Sequence, residues 1–202
     1  MAPQLAPGPD GRLRCWWGVS APDYLAYHDL EWGRPVRDDR GMFERLTLEA
    51  FQSGLSWLTI LRKRENFRGA FAGFDVHRVA RFDDGDRARL MADAGIVRNR
   101  AKIDAAIANA IATAAMQDAG ESLADLVWSH APQRTSAPSD ADLAAETAES
   151  QALAKELKRR GFRFVGPTTV YSTMQACGVV NDHLAGCCVR DEVERERSAP
   201  DL

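Results

Sequence analysis

Four side chains in this sequence have the chemistry of a soft-metal site. Cys15 and His28 lie 13 positions apart near one end of the chain, and His183 and Cys187 lie 4 apart near the other. On a helix, residues i and i+4 share a face, so one ion can take both members of the second pair. Two thiolates and two imidazoles form the tetrahedral donor set of a structural zinc. Such a site ties the first ordered segment to the last, where a small helical body frays most. Spacing alone leaves other readings open. No pair has the C-x-x-C spacing of a zinc finger. Buried free cysteines and hydrogen-bonded histidines are common, and Cys188 competes with Cys187.

A second group of residues suits a phosphate. Gly161-Phe162-Arg163-Phe164-Val165-Gly166-Pro167-Thr168 reads as a helix end, a short apolar turn and a new helix start. Free backbone N–H groups at that start, beside a glycine without a side chain, suit a phosphate oxygen. Lys158, Arg159, Arg160 and Arg163 flank the turn. This has the form of a helix-hairpin-helix element; the plain alternative is a turn between two core helices. A third group joins aromatic residues to one carboxylate. Trp16, Trp17, Tyr24, Tyr27 and Trp32 precede Glu49, which is followed by Gln52-Ser53-Gly54-Leu55-Ser56-Trp57. Flat aromatic faces with one carboxylate suit a flat, electron-poor base. Gly54-Leu55 at an interhelical turn can act as an apolar wedge in a base stack. Taken singly, each of these residues also fits a core or solvated helix position.

The elements that must position these groups are helices. Ile103, Ile107 and Ile111 stand four apart in a helix from Arg100 to about Ala119. Asp39 to about Ser53 is helical, Ser56 caps the next helix, Asp75 and Asp83 or Asp84 cap two shorter ones, and Pro167 opens a helix ending near Gly178. Ser139-Asp140-Ala141-Asp142 reads as the start of a helix to Arg160, and Trp128 to Pro138 as a loop. Period-2 alternation of β-branched residues is missing, so the expectation is all-α with about eight helices. Residues 1–13 and 190–202 read as a disordered and a charged tail around one domain, 14–189.

Composition narrows the classes. The chain has 202 residues, 45% of them hydrophobic, enough for a core without disulfides. Its 26 basic and 29 acidic residues give a net charge of −3, so any nucleic-acid contact must be local. No apolar run reaches the ~18 residues of a membrane span, and no secretory signal is evident; a cytoplasmic protein with reduced thiols is expected.

Several strings resemble the 3-methyladenine DNA glycosylase type I family. They are Arg14-Cys15-x-Trp17, Tyr27-His28-Asp29-x-Glu31-Trp32-Gly33, Leu48-Glu49-x-x-Gln52-x-Gly54-Leu55-Ser56-Trp57, Lys63-Arg64-Glu65-Asn66-Phe67-Arg68, Asp93-Ala94-Gly95-Ile96-Val97-Arg98-x-Arg100-x-Lys102-Ile103, and Gly161 through Cys188. The resemblance covers about residues 14 to 188 in order. It implies a compact helix-hairpin-helix glycosylase fold with a zinc joining the N- and C-terminal segments, held by Cys15, His28, His183 and Cys187 rather than Cys188. It assigns catalysis and base recognition to Glu49 and Tyr27, stacking to Trp17 and Trp57, and DNA contact to Gly54, Leu55, Gly166 and Thr168. Departures are Ala50-Phe51 after Glu49, Ser53 and Ala101 in place of Ala and Gly, and Ala21-Pro22-Asp23 before Tyr24.

The implied reaction is hydrolysis of the N-glycosidic bond of 3-methyladenine in alkylated double-stranded DNA, by a monomer. A methylated cationic base leaves readily, so selection outweighs general-acid catalysis. The lyase members of the superfamily place a Lys where Thr168 stands here, which implies no lyase activity. Asn181 falls where many members place an Asp, with Asp182 one residue on. The rivals are a non-catalytic helix-hairpin-helix DNA-binding module with structural zinc and a glycosylase of broader alkylpurine range.

Overall fold

Side-chain caps start most of the helices. In the computed structural model, which describes residues 5–133 and 144–199, α1 (Pro22–Leu30) opens on a proline. Asp38 accepts from the Gly41 N–H at 2.9 Å and starts α2 (Asp39–Gln52). Ser56 caps α3 (Trp57–Ala70), Asp75 caps α4 (Val76–Val79), and Asp83 and Asp86 form a reciprocal capping box on α5 (Asp84–Ala92). Asn99 caps α6 (Arg100–Asp118) and Ser122 caps α7 (Leu123–Trp128). Each such cap stabilises its helix by about 1 kcal/mol. Then follow α8 (Ala148–Arg159), α9 (Pro167–Ala176), which opens on a proline, and α10 (Arg190–Ser198).

α2 is the axis of the assembly, packing against α3, α6, α7 and α9, with α8 laid on α9. Its Met42, Phe43, Leu46 and Phe51 are sealed in the core with Ile60, Phe67, Ile103 and Met174. Asp39 binds α2 to its neighbours by accepting from Gln117, Ser122 and the Ala124 N–H at 2.7–2.9 Å. Gly178 ends α9 at φ +71°, and a Cβ there would stand 2.5 Å from the Gly33 carbonyl oxygen, so the close approach of these two segments requires glycine.

Four expectations are corrected. Residues 1–13 are not all tail: Leu5–Pro7 (β1) pairs antiparallel with Leu13–Cys15 (β2), fastened by Arg14, which donates to Asp10 and Asp29 at 2.7–3.0 Å. Residues 190–198 are not tail either. α10 buries Val193, and Arg34 pairs with Glu192 and Glu196. Its charge run is satisfied by partners on other elements, which composition does not reveal. α8 begins at Ala148 with Thr147 and Ser150 as its capping box; the Ser139–Asp142 start lies outside the described residues. Trp128 itself closes α7, its indole N–H donating to the Val36 carbonyl; residues 129–133 are turn and loop as expected, and 134–138 lie outside the described residues. Ile111 is half exposed, because four-residue steps drift by about 40° each on a helix of 3.6 residues per turn. The described residues thus hold ten α-helices and one short β-hairpin. No helix among them is long and apolar enough to cross a membrane.

Candidate functional site

The four metal-type donors converge. Cys15 ends β2, His28 sits in the last turn of α1, and His183 and Cys187 lie between α9 and α10. The second pair is on a turn, not a helix: the Cys187 N–H donates to the Leu184 carbonyl at 3.0 Å and brings the thiol back beneath His183. All four donor atoms lie within 4.8 Å of one another, and all four residues are buried. In a tetrahedral site with zinc bond lengths, sulfur and nitrogen donors stand about 3.6 Å apart. Here Cys187 Sγ is 3.5 Å from His28 Nε2 and 3.6 Å from His183 Nδ1, and Cys15 Sγ is 3.9 Å from His183 Nδ1.

The outer ring nitrogens fix the inner ones. His28 Nδ1 meets the Asp29 carboxylate at 2.8 Å, and His183 Nε2 meets the Trp32 carbonyl at 3.1 Å. Both partners accept, so both of those nitrogens donate and both inward nitrogens present lone pairs. Hydrogen bonding to Cys187 and burial push the Cys15 thiol up, while the same hydrogen bond pulls Cys187 down. Two thiolates cannot share so small a volume without a cation. Cys188, half-buried, stays outside the cluster; its N–H donates to the Leu13 carbonyl.

The cluster supports the wall of a cavity. The Trp17 ring stands 5.1 Å from His28 and 4.9 Å from Trp32, and Trp32 stands 4.7 Å from His183. Trp17 and Trp32, with Trp16, Tyr24, Tyr27 and Trp57, line a cavity of about 420 Å³ that also touches Glu49, Gln52, Ser172 and Gln175. Tyr27 and Trp57 are 5.4 Å apart, centroid to centroid. Glu49 is the only carboxylate in this lining. It is 7% exposed, and its carboxyl has no hydrogen-bond partner among the described residues. Burial raises its pKa to about 8, against a smaller opposing pull from Arg45 one turn earlier on α2. Burial, helped by Glu49, also raises the Tyr27 phenol, which keeps its hydroxyl as a donor. The structure thus brings Trp17, Tyr27, Glu49 and Trp57 to one place.

A second cavity of about 300 Å³ shares Glu49, Gln52 and Ser172 with the first and reaches Ser53, Gly54, Leu55, Thr168 and Thr169. It joins the wedge turn to the start of the second hairpin helix. Gly54 takes φ +79°, which favours glycine, and Leu55 points out, 41% exposed. Gly166 caps α9 outside that lining, and a Cβ there would meet nothing within 4 Å, so its open face is free for a close approach. The basic residues of the hairpin are partly engaged: Arg159 and Arg160 pair with Glu156 at 2.6 Å, and Arg160 also pairs with Glu121.

Sequence reasoning missed several residues that hold this arrangement. Buried Lys102 donates to the Phe51 and Ser53 carbonyls at 2.9 and 2.5 Å, closing the end of α2 under the wedge turn. Asn109 bonds both the N–H and the carbonyl of Arg163, at 2.7 and 3.1 Å, pinning the hairpin. Ser172 and Gln175 face the first cavity. Their signal is a polar stripe, Thr168-Ser172-Gln175, at helical spacing on a helix whose Val170, Tyr171, Thr173, Met174 and Ala176 are buried. Asn181 turns away, donating to the Arg190 carbonyl and Glu194, and Asp182 accepts from Tyr171 and Gln175; neither lines either cavity.

Known proteins share this sequence and this fold. The sequence model described as methyladenine glycosylase matches residues 17–191. DNA-3-methyladenine glycosylase 1 of Escherichia coli K12 is 51% identical over 178 residues, 87% of this chain and 95% of that protein. DNA-3-methyladenine glycosylase of Haemophilus influenzae is 43% identical, over 86% of this chain and 96% of that protein. A solved structure of 3-methyladenine DNA glycosylase I from Staphylococcus aureus, described for its recognition of 3-methyladenine, superposes with a TM-score of 0.82 at 35% identity, over 88% of this chain and 96% of that one. Because the matched stretch runs through the aromatic cavity, the wedge turn and the hairpin without leaving any of them out, this chain belongs to the methyladenine glycosylase family.

Proposed function

We propose that this glycosylase takes the 3-methyladenine of alkylated double-stranded DNA into the aromatic cavity and reads it with Glu49 and Tyr27, between the faces of Trp17 and Trp57. The observation that carries the reading is Glu49: one buried carboxylate, without a partner, in a wall of aromatic rings. A neutral base gives no reason to bury a carboxylate there. A cationic one does, because its N–H donors form charge-assisted hydrogen bonds and its charge favours aromatic faces. Entry of the cation drives the Glu49 proton off, and the carboxylate then holds the base while the glycosidic bond lengthens. Water adds to the oxocarbenium-like sugar and the neutral base leaves. Thr168 offers no amine for a Schiff base, so the reaction stops at hydrolysis.

Leu55 fills the gap in the stack, with Gly54 allowing the turn. Gly166 and Thr168 receive the phosphate backbone at the start of α9. The fit of the four donors to tetrahedral spacing supports a structural zinc on Cys15, His28, His183 and Cys187. Bound there, the ion fastens the ends of the domain and fixes the Trp17–Trp32 wall. It has no part in the reaction, since protein donors fill all four positions. Incubating the protein with methylated DNA and separating the released bases by chromatography tests the reading. Release of 3-methyladenine is expected; no release, or release of other purines only, refutes it.

A further inference from the structure

A charged residue stands behind the cavity wall. Arg45 lies one turn before Glu49 on α2, so the two share a face, and helix side chains lean toward the N-terminus, which tips Glu49 over Arg45. Arg45 lines neither cavity, and its side chain is 13% exposed. Its Nη2 faces Glu31, at the end of α1, at 3.4 Å. The same Glu31 carboxylate accepts from Arg64 of α3, from Nη2 at 3.0 Å and from Nη1. One carboxylate thus serves two guanidiniums. Glu44, beside Arg45 in sequence, is taken by Arg68 at 2.7 Å. Arg45 Nη1 is buried with no hydrogen-bond partner among the described residues. The Arg45–Glu31–Arg64 cluster therefore keeps a surplus positive charge, one turn from a buried carboxyl that has no partner of its own. The other titratable groups near Glu49 bring no charge. Burial keeps Tyr27 of α1 and Cys177 at the end of α9 protonated, the thiol pushed up to about 12. Lys102 of α6 is committed to the Phe51 and Ser53 carbonyls. Among the described residues Arg45 alone acts on Glu49 by its charge, against the effect of burial.

We propose that Arg45 is a positioning residue for base release: a fixed charge behind Glu49 that holds the carboxyl ready to ionise, without touching the base. This rests on Glu49 being the group that holds the cationic base. Burial alone favours the neutral carboxyl, and a neutral carboxyl holds a cation poorly. The surplus charge of the cluster opposes burial and makes the carboxylate accessible near neutral pH. The proton released by Glu49 goes to solvent. Arg45 lies outside the cavity lining, so it meets no atom of the base. Glu31 sets how much of the Arg45 charge is left for Glu49, because it is the carboxylate that Arg45 shares with Arg64.

The test is the pH profile of 3-methyladenine release from methylated DNA under kcat/KM conditions, which follow the free enzyme, in the parent, Arg45→Met and Glu31→Gln. Methionine keeps the length and the apolar stem but not the charge. The midpoint of its profile is expected about one pH unit above the parent's, the low end for loss of a neighbouring opposite charge. Release is then about tenfold slower than the parent's at pH 7 and within about twofold of it at pH 9. Glu31→Gln removes the carboxylate that Arg45 shares, so its midpoint should move the other way, by about half a pH unit, with release roughly threefold faster at pH 7. A merely structural role would lower both profiles at every pH and cannot move two midpoints in opposite directions. Circular dichroism checks the fold, and if Arg45→Met does not fold, Glu31→Gln decides. A parallel loss, or an unmoved midpoint in either folded variant, overturns this inference and leaves the Glu49 reading standing. A parent profile without a step, or a step that Glu49→Gln keeps, overturns both.

Discussion

Ionisation of Glu49 should be visible in the pH dependence of base release. Its carboxyl is raised to about 8 by burial, so the empty site is mostly neutral at pH 7. If the ionised form is the one that holds a cationic base, kcat/KM follows the ionised fraction of the free enzyme. For a pKa near 8 that fraction is about 1% at pH 6, about 10% at pH 7 and about 90% at pH 9. Release should therefore quicken roughly a hundredfold across that range, equivalent to about 3 kcal/mol at ~1.4 kcal/mol per unit. Glu49→Gln keeps shape and cannot ionise. Its profile should be flat, about ten- to a hundredfold below the parent at pH 9, since a hydrogen bond to a charged group contributes about 1.5–3 kcal/mol. The two profiles should meet between about pH 6 and pH 7, the lower value for the larger loss. The assay is single-turnover release of 3-methyladenine at constant ionic strength, because DNA affinity depends on salt, with spontaneous depurination subtracted. A parent profile flat from pH 6 to 9, or a Gln variant with the parent's slope, would refute the assignment of charge recognition to Glu49.

The same carboxyl has a stability consequence. The folded protein holds this proton more tightly than the unfolded chain, so its contribution is complete below the ordinary value of 4.5 and is lost as pH rises through about 8. Glu49→Gln should thus melt several degrees above the parent at pH 9 and alongside it at pH 4, as followed by calorimetry. For the metal, elemental analysis should find one zinc per chain in the parent and little in Cys187→Ser; zinc-free folded parent, or full retention in the variant, counts against the four-ligand site. For the hairpin, Gly166→Glu should fold normally, because its side chain enters open space, yet weaken binding to undamaged DNA of any sequence by placing a charge at the proposed phosphate contact. Equal affinity at low salt, by fluorescence anisotropy, makes the hairpin an ordinary turn.

Much of the fold was legible because it is encoded locally. Asp75, Asp83, Ser56 and Pro167 start helices where their side-chain chemistry says they should. Residue type and spacing also marked the four donors, although nothing in the spacing separates Cys187 from Cys188. That choice depends on a turn hydrogen-bonded to Leu184. The two terminal segments are hidden from the sequence for one reason: β1 and α10 have partners far away in sequence, the Leu184–Cys187–Val189 cluster for Leu5 and Arg34 for Glu192. The aromatic residues and Glu49 were legible as a group. Lys102, Asn109 and the Gln175–Asp182 pair were not, since what each does depends on a backbone carbonyl or carboxylate brought to it by the tertiary fold.

The position of the donor cluster in the chain also sets an order of events during synthesis. Cys15 and His183 are 168 residues apart, so a ribosome adding roughly 5–20 residues per second makes one roughly ten to thirty seconds before the other. For most of that interval Cys15 and His28 have been made and lack their partners, and α3, α6 and α7, which pack against α2, precede His183 in the chain. If the four donors hold zinc as proposed, ion capture is a closing event, not a nucleus. A chain made where the ion is scarce would have a packed helical core and a loose Trp17–Trp32 wall. It would be folded by most measures and unable to hold a base.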